Sequence, residues 1–122
     1  MGKLIRAQEI REVNDVQYRL IPVPEWGGED AEIRIRSMSA GELVKFTNLK
    51  GENAKQGMVR ALVMCAVDED GERIFTTDDV AWLMDKNISV LHRIQDAILE
   101  LNGMRKAAES DEDDDVTRAG KG

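Results

Sequence analysis

Apolar residues recur at two different periods along this chain, and the change of period divides it. Between Gln17 and Ser37 the period is two. Tyr18, Leu20 and Pro22 alternate with Arg19, Ile21 and Val23, and Ile33 and Ile35 alternate with Glu32, Arg34 and Arg36. Side chains of an extended chain point to opposite faces in turn, so this spacing predicts two half-buried strands. Pro22 and Pro24 have no amide proton to give to a ladder, so the first strand ends there or lies at an edge. With Gly27-Gly28 turning the chain between the strands, the reading is a β-hairpin over 17–37 that needs helices against it to be stable.

From Ser39 onward the period becomes helical. Ser39-Ala-Gly-Glu42 is a capping box, and Leu43, Phe46 and Leu49 or Lys50 continue it, which predicts a helix over about 40–49 that Gly51 stops. A second helix is expected over 54–67, with Asn53 as its cap and Met58, Ala61, Leu62 and Cys65 on one face. Its end, ALVMCAV, is apolar all round, as in a helix buried on several sides. Ile74-Phe75 is a short extension able to dock on the core. Thr76 or Thr77 then caps a helix over about 77–85, with Asp78 and Asp79 in its first turn where the helix dipole favours anions. Asn87 caps the last helix, 88–101, whose Ile88, Leu91, Ile94, Ile98 and Leu101 form one stripe ending at Asn102-Gly103. The fold class is α+β, mostly α, with an N-terminal hairpin against a small bundle of about four helices. Residues 17–103 form one globular domain. Residues 1–16 are a short amphipathic helix or a mobile arm; the spacing of Leu4, Ile5, Ile10, Val13 and Val16 fits both.

Composition then narrows the function. The formal net charge is −7, from 17 Lys and Arg against 24 Asp and Glu, and the basic residues are scattered. Nucleic-acid binding relies on clustered cations, so a phosphate-binding role is disfavoured. No apolar run is long enough to span a bilayer, and MGKLIRAQEIREV lacks the apolar core of a signal peptide, so a cytoplasmic protein without membrane contact is expected. Residues 104–122 form an acidic flexible tail, since Glu109-Ser-Asp-Glu-Asp-Asp-Asp115 repels itself and has nothing apolar to bury.

Candidate chemistry is sparse. Asp68-Glu-Asp-Gly71 invites a calcium loop, but placing Gly71 at the sixth position puts Ala66 first and Thr77 twelfth, and neither suits a ligand. Starting at Asp68 puts Arg73 where glycine is required, so a solvated turn with Gly71 at positive φ is the better reading. Cys65 reads as a small buried hydrophobe and His92, the one histidine, as a solvated surface residue. No acid/base pair or activated nucleophile can be named, and no metal or cofactor is expected. What remains is contact surface. Trp26 at the hairpin tip suits an interface, whereas Trp82 reads first as packing; with the adaptable Met38 and Met84 they make up the candidate partner-binding residues.

The order of elements carries a resemblance. PVPEWGGEDAEIRIRSMSAGEL, then a helix ending CAVDEDGERIFTTDDVAWL, then a capped helix closing on LNG, looks like the tail assembly chaperones of long-tailed, siphovirus-like phages and prophages. The likeness runs from Tyr18 to Gly103, and its most specific pieces are P-E-W-G-G followed by S-x-S-A-G-E, and V-D-E-D-G-x-x-x-F-T-x-x-D-V. The acidic run finishing VTRAGKG departs from the Glu-rich helical end of the family. The resemblance implies a non-enzymatic protein of the host cytoplasm, absent from the mature virion. It would bind the tape measure protein and keep it soluble until the tail tube protein polymerises around it. Many such chaperones are also made in a longer, frameshifted form that is thought to recruit tube protein. A homo-oligomer is compatible with all of this. Two other readings stay open: a small acidic inhibitor that mimics DNA, and a structural tail or neck subunit.

Overall fold

The computed structural model describes residues 2–104. The acidic stretch expected to be a flexible tail lies outside the described residues from position 105 onward. In chain order the elements are α1 (Ala7–Glu12), β1 (Tyr18–Pro22), α2 (Pro24–Gly27), β2 (Glu32–Arg36), α3 (Ala40–Thr47), α4 (Glu52–Lys55), α5 (Gly57–Cys65) and β3 (Ala66–Val67). A 3-10 turn (Thr77–Asp79), α6 (Val80–Leu83) and α7 (Ile88–Leu101) complete the set. The mostly helical α+β class, with its antiparallel hairpin, is as the sequence predicts.

β1 and β2 pair antiparallel from Tyr18 opposite Arg36 to Pro22 opposite Glu32. β1 is an edge strand, which explains how Pro22 is accommodated. Ile21, Val23, Ile33 and Ile35 are buried on one face of the sheet, while Tyr18 and Leu20 are exposed on the other. The hairpin connection differs from a simple Gly-Gly turn. Pro24 opens the single helical turn α2, favoured there by its fixed φ. Both glycines are then required: a Cβ on Gly27 would meet the Ala31 Cβ at 2.9 Å, and Gly28 has φ of 100°.

The expected helix over 54–67 is three elements. α4 is a separate turn entered through Gly51, not Asn53, whose side chain instead accepts from Arg60 Nη2 at 3.0 Å. The chain kinks at Gln56, and α5 ends two residues early so that Ala66 and Val67 can pair with Ile35 and Arg34 of β2. A two-residue strand leaves no alternation to read, and its apolar neighbours continue the helical pattern. The expected helix over 77–85 likewise begins as the 3-10 turn, capped by Thr76, which accepts from the Asp78 amide at 3.2 Å.

α5 and α7 lie on the inner face of the sheet and pack on each other. Val59, Leu62 and Cys65 of α5 meet Val90, Ile94 and Ile98 of α7 and Ile35 of β2 in the core, which Leu83 of α6 completes. α7 has the bounds the stripe predicts, and Asn87 caps it by accepting from the Ser89 amide at 2.8 Å. Ile88, counted in that stripe, is 65% exposed, because the first turn overhangs the core. α1 exists but buries no residue. Among the described residues no polar or charged side chain is buried.

Candidate functional site

The hairpin tip and α6 approach each other and leave a cleft of about 320 Å³ between them, lined by Glu25, Trp26, Phe75, Trp82, Leu83 and Lys86. Its walls come from three local decisions of the chain. α2 carries Trp26 at the tip, half-buried against the core. The Ile74-Phe75 extension contributes Phe75, which packs on the core, while Ile74 is 45% exposed. α6 contributes Trp82, whose ring meets Phe75 edge to face with centroids 6.0 Å apart and planes at 64°. That geometry suits the aromatic quadrupoles.

Polar contacts fix the cleft from outside. Arg93 of α7 grips the tip with both guanidinium nitrogens, donating to Glu25 Oε2 at 2.6 Å and Oε1 at 3.0 Å, and to the Pro22 carbonyl at 2.9 Å. This hydrogen bonding holds the Glu25 carboxyl at about 2, below its ordinary 4.5. The Trp82 indole donates to Asp79 Oδ1 at 2.8 Å. Asp79 also accepts from the Thr76 amide, and these two donors, the amide first, lower its pKa. Lys86 places its ammonium 5.8 Å from the Trp82 ring centroid, within cation–π range. The cleft is therefore lined mainly by apolar side chains, with Lys86 and the Arg93-paired Glu25 at its rim and the Trp82 indole tethered to Asp79.

Of the four residues picked from the sequence, the structure brings two together. Trp26 and Trp82 line the cleft from elements far apart in the chain. Trp82 is 46% exposed, not core, because the short α6 turns Val80 and Leu83 inward instead. Met84 is exposed at the end of α6 but does not line the cleft. Met38 lies elsewhere, in a depression beside Asp15, Ser37 and Glu42, with its amide donating to Asn102 Oδ1 at 2.6 Å. Sequence reasoning missed Phe75, Lys86 and the Glu25–Arg93 clamp. Glu25 and Arg93 are 68 positions apart, so no local pattern announces their pairing.

The acidic turn has structural work throughout. Asp68 Oδ1 accepts from the amides of Asp70 and Glu72 at 2.8 and 3.0 Å, and Gly71 has φ of 83°. Among the described residues no group of three or more His, Cys, Asp or Glu is arranged to hold a metal ion. His92 Nδ1 lies 3.4 Å from Asp96 Oδ2 on the outer side of α7. Among the described residues no helix is long and apolar enough to cross a membrane.

The solved structure of the bacteriophage HK97 tail assembly chaperone matches this chain with a TM-score of 0.53, covering 70% of this chain and 85% of that one. The fold is that of a phage tail assembly chaperone. Sequence identity is 18%, so the likeness is one of architecture. No family model matches the sequence, and no curated protein sequence matches it. Within the chaperone fold, this chain's cleft is built from side chains that its own sequence supplies.

Proposed function

We propose that this protein is a phage tail assembly chaperone that binds the tape measure protein and keeps it soluble until the tail tube forms around it. The observation that carries the reading is the shared fold with the HK97 tail assembly chaperone over most of both chains. The aromatic cleft supports it physically. A long helical protein exposes apolar stripes before it is packaged, and a groove flanked by tryptophans accepts such a stripe through one or two anchor side chains. Trp26 and Trp82 make the primary contact, with Met84 as a flexible lip beyond α6. The tail tube protein is the second partner, met when the tape measure is handed over. The protein acts in the host cytoplasm by binding alone, without catalysis, and leaves before the virion matures. Its net charge of −7 keeps a complex of apolar chains soluble.

Co-expression with a phage tape measure protein tests the reading. The tape measure is expected in the soluble fraction, bound to this chain through a salt-resistant contact. An insoluble tape measure, no complex, and recovery of this chain in purified virions would point instead to a structural subunit.

A further inference from the structure

Acids outnumber bases in this chain, yet one groove has cations as its only charged residues. It lies between α3 and α5 and encloses about 110 Å³. Phe46 and Met64, packed on the core, form its floor with half-buried Leu49. Lys45, Arg60 and Arg73 stand around that floor, and no carboxylate lines it. Elsewhere the surface is different: the aromatic cleft includes Glu25, and the depression on the outer sheet face includes Asp30, Glu32 and Glu69.

The charges on this rim are not cancelled among the described residues. Lys45 is exposed and enters no ion pair there. Arg60 donates to Gln56 Oε1 and Asn53 Oδ1, both at 3.0 Å, and these neutral acceptors leave its charge in place. Arg73 reaches Glu42 Oε2 only at 3.5 Å, on a carboxylate that already holds both Arg36 nitrogens at 2.8 and 2.7 Å. An apolar floor inside a cationic rim suits an acidic segment, which meets the rim by charge and sheds water from the floor.

The chain itself supplies such a segment within reach. Six of the seven residues from Glu109 to Asp115 are acidic. The Met38 amide donates to Asn102 Oδ1 at 2.6 Å, so α7 ends beside the start of α3. Phe46 lies about 10 Å further along α3, at the rise of an α-helix. Residues 105–108 bridge up to about 17 Å when extended, enough to bring Glu109 to the groove. We propose that the acidic segment 109–115 docks across this groove of its own chain, its carboxylates on Lys45, Arg60 and Arg73, as a tethered cover for Phe46 and Leu49. A short tether gives an effective concentration in the millimolar range, so exposed ion pairs that are individually weak suffice. Another chain reaches the groove only by displacing the segment, which an anionic amphipathic partner does best. The groove shares no lining residue with the aromatic cleft, so the proposal stands or falls separately from the chaperone reading.

A nitroxide on Ser110→Cys of the full chain tests it, attached by labelling brief enough to spare the covered Cys65, with the Met64 methyl resonance as readout. That signal is expected to be lost to paramagnetic broadening at about 50 mM salt and regained at about 500 mM, where exposed charges are screened. K45E/R73E, with unchanged circular dichroism, should regain it at low salt. Adding D113K/D114K/D115K to that variant should lose it again, because the charges of rim and segment are then both reversed. Nitroxide and isotope on separate molecules should leave the signal sharp. A signal that stays sharp at low salt, or broadening indifferent to salt or to K45E/R73E, would overturn the proposal. So would reversed charges that fail to restore the broadening, or broadening seen only between separate molecules.

Discussion

Glu42 closes the capping box by accepting from the Ser39 amide at 2.9 Å, and it receives both Arg36 nitrogens at 2.8 and 2.7 Å, while Arg73 comes within 3.5 Å. Arg36 in turn donates to the Met64 carbonyl at 3.0 Å, so one carboxylate ties α3 to β2 and, through Arg36, to α5. Its side chain is only 24% exposed, which limits screening. Hydrogen bonding by Arg36 brings the Glu42 carboxyl to about 2, against 4.5 when free. Protonation therefore favours the unfolded chain: the stabilisation is complete above about pH 5 and is lost as pH falls toward the folded value. Glu42→Gln is expected to cost roughly 1–3 kcal/mol at neutral pH and to flatten the acid side of the stability curve. Urea melts between acid and neutral pH would measure both, and equal slopes for variant and parent would refute the assignment. Trp82 behaves differently. It is half exposed, so Trp82→Ala should change stability by no more than about 1 kcal/mol, and on the proposed function it should weaken capture of a tape measure protein about tenfold or more. Titration calorimetry beside a thermal melt separates the two effects, and unchanged affinity would remove the cleft from the binding site.

At the scale of elements, Gly28 decides the shape of the hairpin tip. Its φ of 100° and ψ of 177° belong to a region that L side chains rarely enter. Gly28→Ala is expected to cost about 1–3 kcal/mol and to displace Trp26 and the Glu25–Arg93 clamp with it. An unchanged melting temperature, or an unshifted Trp26 indole resonance, would show that the tip tolerates the strain. The elements that were legible in the sequence are those with long patterns or chemical punctuation. α7 shows its full stripe and its Asn87 cap, α3 shows Ser39 and Glu42, and β2 shows strict alternation. β3 was hidden because two residues hold no period, and the break at Gln56 because nothing but Gly57 marks it. The cleft was half legible. Tryptophans stand out by type, but their meeting depends on how the hairpin tip docks against α6, which is a tertiary outcome. Trp82 reads as packing from its apolar neighbours, but α6 is a single turn in which only Val80 and Leu83 are buried, and the indole stays half exposed.

For the molecule as a whole, the lasting contrast is between a wholly apolar interior and a surface where the interactions lie. The core joins sheet, α5 and α7 so closely that Ile94→Ala, at 1% exposure, should cost about 2–5 kcal/mol. That loss would appear as a lower urea midpoint with an unchanged slope; a variant as stable as the parent would mean the cavity collapses freely. The same interior holds Cys65, the one cysteine, fully covered, with burial pushing its thiol up to about 11. A thiol so placed cannot meet an alkylating reagent until the junction of α5 and β3 opens, and then it reacts once. Cys65 is thus a native stopwatch: the rate of its labelling reads how often that junction opens, and whether a bound partner slows the opening, with no reporter added to the chain.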